Sequence, residues 1–188
     1  MYLKCAKNNN PRIFMIIGGS FNGKTKQAMK YAIKYDAVLI SRSDIRKIIK
    51  TYTNNQKILN HFEVNKIALN MLITAIGHNQ NVVLDGDFTT TKNRQDFLKT
   101  LHFLANPFDS NNINSNKYRY LKNITNNLNI IDYSIIGIYI KPNYKLAQKR
   151  NEKNNFPINI YQLEEQYCHF IKPKKREGFS KIYTKRAK

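Results

Sequence analysis

Tryptophan is absent from these 188 residues, and cysteine is nearly so, at Cys5 and Cys168 only. Two cysteines without metal-ligand spacing and four scattered histidines support neither a disulfide framework nor a zinc site, and a reducing, intracellular (cytoplasmic) setting is expected. Long apolar runs are missing too. None approaches the ~20 residues of a membrane span, so no membrane partner is expected. The opening Met1-Tyr2-Leu3-Lys4-Cys5 does not begin an apolar h-region, and no secretory signal is expected. The scarcity with the largest consequence is that of acid. Twelve Asp and Glu stand against 32 Lys and Arg, a formal net charge of +20, which favours polyanions and speeds encounter with them. Nucleic acid is the partner that this balance points to, with drift toward Asn-, Lys- and Ile-rich usage the alternative source of the charge. Hydrophobic residues still make up 41% of the chain, enough for one substantial core.

What is present begins with Gly18-Gly19-Ser20-Phe21-Asn22-Gly23-Lys24-Thr25, which completes the pattern G-x-x-x-x-G-K-[ST]. An apolar run, Ile13 to Ile17, precedes it, and a helix-compatible run, Lys24 to Lys34, follows. That order of strand, loop and helix is the setting of a phosphate-binding loop. Glycines let backbone N–H groups turn inward around anionic oxygens, and the helix N-terminus adds positive potential. Lys24 is then expected to reach the β- and γ-phosphates of ATP, and the Thr25 hydroxyl to ligate Mg²⁺. A loop that only turned tightly would need the glycines but not Lys24-Thr25.

The periodicities alternate short apolar strands with longer helical runs. Strands are expected at Arg12–Ile17, Ala37–Ile40, Val82–Leu84, Ser134–Ile140 and Lys181–Thr184, and helices at Lys24–Lys34, Asp44–Lys50, Phe62–Ile76 and Lys92–Leu104. Short, nearly all-apolar strands separated by helices imply a parallel sheet covered on both faces: one three-layer α/β domain over residues 1–188. Two stretches break the rhythm. Residues 105–128 read as a polar insertion, in which Tyr118 and Tyr120 alternate with Lys117, Arg119 and Lys122; residues 149–160 are a basic helix end running into a loop.

Functional groups gather beyond the carboxyl ends of strands in open α/β sheets. After the second strand comes Ser41-Arg42-Ser43-Asp44-Ile45-Arg46, where a carboxylate can accept a proton from an attacking hydroxyl and an arginine one turn on can hold a phosphate. The same residues also suit a plain helix start, with Ser43 or Asp44 as N-cap. After the third strand comes Asp85-Gly86-Asp87. Asp85 suits a carboxylate that holds Mg²⁺ or its waters, although Asp-Gly-Asp also makes a turn.

Taken in order, Gly18–Thr25, Ser41–Arg46, Asp85–Arg94, Arg150–Pro157 and Pro173-Lys174-Lys175-Arg176-Glu177-Gly178-Phe179 resemble the 5′-hydroxyl polynucleotide kinases of the bacteriophage type and the small P-loop kinases around them. The resemblance implies a P-loop kinase fold with a helical lid at about 149–160. It also implies ATP-dependent, Mg²⁺-assisted phosphorylation of a hydroxyl, most typically at the 5′ end of DNA or RNA. By the same resemblance Arg46 grips the phosphate beside the acceptor hydroxyl, and Arg150 closes over the donor. Three positions depart from the pattern. Ser43 stands where the catalytic aspartate is usual, leaving Asp44 as the base. Asn154 replaces the second lid arginine, with Lys153 beside it to supply a point charge. Asp87-Phe88 stands in place of a polar Thr-Asn pair. Two other functions fit the same residues: a weakly active or non-catalytic nucleotide- and nucleic-acid-binding protein, and a P-loop kinase for a small molecule.

Overall fold

The computed structural model describes residues 10–52, 61–105, 133–155 and 157–187. The expected insertion, with Tyr118 and Tyr120, lies past Ala105 and outside the described residues. Strand β1 (Arg12–Ile17) leads through the glycine-rich loop into α1 (Lys24–Tyr35), and β2 (Ala37–Ser41) runs directly into α2 (Arg42–Tyr52). Helix α3 (His61–Gly77) precedes β3 (Asn81–Asp85), and α4 (Thr91–Ala105) follows it. Beyond them come β4 (Ser134–Ile140), α5 (Tyr144–Glu152), α6 (Ile160–Cys168), a 3₁₀ turn at Lys175–Glu177 and β5 (Lys181–Lys185).

All five strands are parallel, in the order β2-β3-β1-β4-β5. Side chains alternate across a strand, so β1 feeds two cores. Ile13, Met15 and Ile17 join α2, α3, α4 and Phe179 on one face; Phe14 and Ile16 join Ala28 of α1, Val83 and Ile138 on the other. Every residue from Ile13 to Ile17 is at most 1% exposed, as a central strand covered on both faces requires. The three-layer expectation is met. On the α1 face Phe14 stacks on Tyr35 at 4.5 Å between ring centroids, and Tyr31 packs against both rings.

Two local differences from the sequence reading have clear causes. Helix α2 starts at Arg42, because the cap is Ser41: its hydroxyl accepts from the Asp44 amide at 3.3 Å, so neither Ser43 nor Asp44 is the N-cap. Helix α5 ends at Glu152, within the expected basic helix end, and α6 is additional to the helices expected. Each carries an asparagine cap, Asn143 accepting from the Leu146 amide and Asn159 from the Tyr161 amide. Buried Asn151 closes the connection between them, exchanging two 2.8 Å hydrogen bonds with the backbone of Ile158.

Candidate active site

Asp85 and Ser41 end neighbouring strands in direct register, beside the carboxyl end of β1, and this edge of the sheet gathers most of the residues singled out above. The glycine-rich loop turns through left-handed conformations at Phe21 (φ 57°) and Gly23 (φ 84°), and Gly23 is the N-cap of α1. Such backbone suits glycine and aims successive amides at one point. Buried Asn22 ties the loop to the end of β4, its Nδ2 donating to the Lys141 carbonyl at 3.2 Å.

Thr25 and Asp85 meet. The Thr25 hydroxyl donates to Asp85 Oδ2 at 2.8 Å, linking the start of α1 to the end of β3. The Lys24 ammonium folds back and donates to the Gly19 carbonyl at 3.0 Å. Burial lowers the Lys24 pKa below the usual lysine range, and the carboxylates of Asp85 and Asp87 act in the opposite direction. A cation drawn out of water and bonded to a neutral carbonyl is poised for an anion.

Arg150, at the end of α5, reaches the same loop and donates from Nη1 to the Phe21 carbonyl at 2.9 Å. Lys153 is the C-cap of α5 and is exposed to solvent. On the other flank Asp44 sits in the first turn of α2, half exposed at 46%, with its carboxylate 3.2 Å from the Lys47 ammonium. Ser43 exchanges a 2.9 Å hydrogen bond with Ser41. The structure therefore brings Gly18–Thr25, Asp85 and Arg150 together, while it turns Asp44 toward Lys47.

Two groups escape the sequence reading. Arg42 lies inside the hexapeptide, but the family resemblance singles out Arg46 as the phosphate-gripping arginine. The Arg42 guanidinium lies 4.6 Å over the Phe88 ring and so close to Gly86 that a Cβ there would stand 2.6 Å from Nε. Burial lowers the Arg42 pKa; Asp87 opposes this, Arg46 adds to it, and Asp85 opposes it again, which locates Arg42 among the site's charges. The second group is Gln166 and Tyr167 of α6. The Ser20 amide donates to Gln166 Oε1 at 2.8 Å, and the Tyr167 hydroxyl donates to the Ser20 carbonyl at 2.7 Å. The Tyr167 ring packs against Gly19, where a Cβ would come within 2.6 Å of it. Burial raises the Tyr167 pKa, with Arg150 opposing. No short-range pattern marks a glutamine and a tyrosine 146 and 147 residues from their partner.

The remaining motif residues do a different job. Arg94, fully buried, donates from Nε and Nη2 to Glu177 at 2.7 and 3.1 Å, and from Nη1 to the carbonyls of Phe88 and Thr89. With the Thr91 hydroxyl at 3.3 Å from Nη2, all three guanidinium nitrogens are engaged. The Glu-Gly-Phe end thus holds the loop after β3.

No protein-family model matches the chain, and no curated protein matches it. Solved structures do. A provisionally assigned kinase from Chloroflexus aurantiacus superposes over 94% of this chain and 88% of its own, with a TM-score of 0.61 at 12% identity. A chain of the Pnkp1/Rnl/Hen1 RNA repair complex superposes over 89% of this chain, with a TM-score of 0.55 at 16% identity; the match spans 46% of that longer chain. What is common to these molecules at such identities is the fold, a parallel β-sheet flanked by helices.

Proposed function

We propose that this chain transfers the γ-phosphoryl group of ATP to a hydroxyl at the 5′ end of a nucleic acid. The observation that carries the reading is the 2.8 Å contact between Thr25 Oγ1 and Asp85 Oδ2, beside the glycine-rich loop and the buried Lys24. A hydroxyl and a carboxylate are the hard oxygen donors that Mg²⁺ takes, so Thr25 and Asp85 fit that ion, which when bound would neutralise charge on the β- and γ-phosphates. The chain's own groups supply the rest by positioning and charge. Amides of the Gly18–Thr25 loop cradle the phosphates. Lys24 exchanges its neutral partner, the Gly19 carbonyl, for phosphate oxygens, and Arg150 approaches from α5 with Lys153 at the helix end.

On the acceptor side Arg46 holds the phosphate next to the reacting hydroxyl, and Asp44 accepts its proton after leaving Lys47. Catalytic contacts in a ligand-free site are often completed only in the complex, and base catalysis typically contributes only ~10²–10⁴-fold, so a displaced carboxylate slows such an enzyme without silencing it. The charge of +20 supports a polyanionic acceptor. A second reading, a kinase for a small molecule, is favoured by Arg42, whose guanidinium lies over Phe88 and against Gly86 on the acceptor side.

Purified protein with Mg²⁺ and labelled ATP is expected to label an oligonucleotide bearing a 5′-hydroxyl but not one bearing a 5′-phosphate. Lys24→Met should remove at least ~10²-fold of the rate. Label found only on nucleosides or small metabolites supports the second reading, and intact ATP binding without any transfer overturns both.

A further inference from the structure

The segment 172–176 differs from a loose basic tail in how firmly it is fixed. Its near end is held by the Ile171 amide, which donates to the Thr89 carbonyl at 3.0 Å. Its far end is held by Glu177, whose carboxylate takes two bonds from Arg94 and a third from the Lys174 amide at 2.8 Å. Pro173 is buried within it, and Phe179 is buried just beyond, in the larger core. Between these anchors Lys172, Lys174, Lys175 and Arg176 all face solvent. Glu177, the acid next in the chain, is taken up by Arg94, and among the described residues neither ion pair involves these four cations.

The anchors lead to the acceptor side of the site. Arg94 bonds the carbonyls of Phe88 and Thr89, so the segment is bolted to the loop that leaves Asp85. The Phe88 ring carries the Arg42 guanidinium, whose charge in turn interacts with Asp87 and Asp85. A buried ion pair is a poor device for stability alone, since apolar replacements do as well or better. Cations held in fixed positions, by contrast, bind an anion with less ordering cost than a flexible tail.

We infer that Lys172, Lys174, Lys175 and Arg176 form the track for the acceptor strand, binding backbone phosphates of a single-stranded nucleic acid whose 5′ end reaches the loop after β3. This rests on the nucleic-acid reading and deepens it by assigning where the strand beyond its terminal nucleotide is held. An anionic membrane is the poorer fit, because the segment itself exposes no large apolar side chain and only Ile171 stands exposed just before it, too little to enter lipid.

The test compares wild type with the variant K172A/K174A/K175A/R176A and with a charge-matched control, K30A/K34A/K145A/K149A, whose lysines are also exposed. Affinity for a fluorescent 5′-hydroxyl oligonucleotide of about 12 nucleotides, within the usual single-strand site sizes, is followed by anisotropy across a salt series. Each cation that neutralises a single-strand phosphate adds ~0.7 to the salt slope, so removing all four should make the slope of log K against log[salt] shallower by about 3. Affinity should fall at least ~10-fold near ~0.1 M salt, and each single alanine should remove about 0.7 of slope. ATP affinity should stay unchanged, and the control should stay within about 1 of the wild-type slope.

If wild type binds and phosphorylates the oligonucleotide while the track variant keeps its slope, the track is overturned and the kinase reading survives. Equal losses in track variant and control overturn it in the same way. Wild type that ignores the oligonucleotide overturns both, and a preference for phosphatidylserine vesicles overturns the track.

Discussion

The guanidinium of Arg94 and the carboxylate of Glu177, 83 residues apart in the chain, lie side by side in the protein interior, joined by hydrogen bonds of 2.7 and 3.1 Å. Neither side chain is more than 4% exposed. The pair fastens the C-terminal segment to the loop after β3, and through Phe88 it supports the ground on which Arg42 rests.

Removing one partner leaves the other charge stranded. Glu177→Ala should cost about 3–5 kcal/mol of stability, because Arg94 stays buried without its carboxylate. Urea unfolding of Glu177→Ala against wild type measures this, with Arg94→Met/Glu177→Leu as the companion that removes both charges. The double variant should recover much of the loss. A single-variant cost below ~0.5 kcal/mol, the scale of an ordinary surface substitution, would contradict the account.

Helix α6 shapes the glycine-rich loop from outside, through Gln166, Tyr167 and the space left at Gly19. Tyr167→Phe removes the bond to the Ser20 carbonyl but keeps the ring, so ATP affinity should fall ~3- to 10-fold, the scale of one hydrogen bond. Gly19→Val places carbon atoms where the Tyr167 ring lies, and ATP binding should fall much further. Calorimetric titration with a non-hydrolysable ATP analogue distinguishes these outcomes. Identical affinities for all three proteins would show that α6 plays no part in nucleotide binding.

Asp44 and Ser43 separate a displaced base from an absent one. If Asp44 accepts the proton, Asp44→Asn should slow transfer ~10²- to 10⁴-fold, while Ser43→Ala should change it little. Ser43→Asp should raise kcat without altering the KM for ATP, by supplying a carboxylate one residue earlier. Steady-state rates on a 5′-hydroxyl oligonucleotide report both effects. Equal small changes in all three variants would remove Asp44 from the chemistry.

Tyr133 provides a pH test. Burial pushes its phenol up to about 12, against about 10 in an unfolded chain. The folded form therefore keeps the proton that the unfolded form loses first. Stability from this residue is fully present below pH ~10 and is lost as the pH rises from ~10 through ~12. Urea midpoints taken across that window should fall more steeply for wild type than for Tyr133→Phe, and parallel curves would exclude the burial effect.

The periodicity of Ile13-Phe14-Met15-Ile16-Ile17, followed by glycines and Lys24-Thr25, is enough to read a parallel sheet with a glycine-rich loop at its carboxyl edge, because both signals are local. Strand alternation and loop chemistry each act within a few residues. Asp85 is legible for the same reason, as a carboxylate at the end of an apolar run. The cap of α2 falls two or three residues earlier than expected, because Ser41, Ser43 and Asp44 are all competent caps; the choice goes to Ser41, where the chain leaves β2.

What the amino-acid order determined by itself is the architecture and the glycine-rich loop at the strand ends, since hydrophobic period and turn chemistry are properties of neighbours in the chain. Only the tertiary structure decided which other distant groups meet that loop and its surroundings: Gln166 and Tyr167 at Ser20, Arg42 over Phe88, Glu177 on Arg94. Those meetings come from how helices pack on the two faces of the sheet, and a hydrogen bond across more than 80 residues leaves no mark on the residues beside either partner.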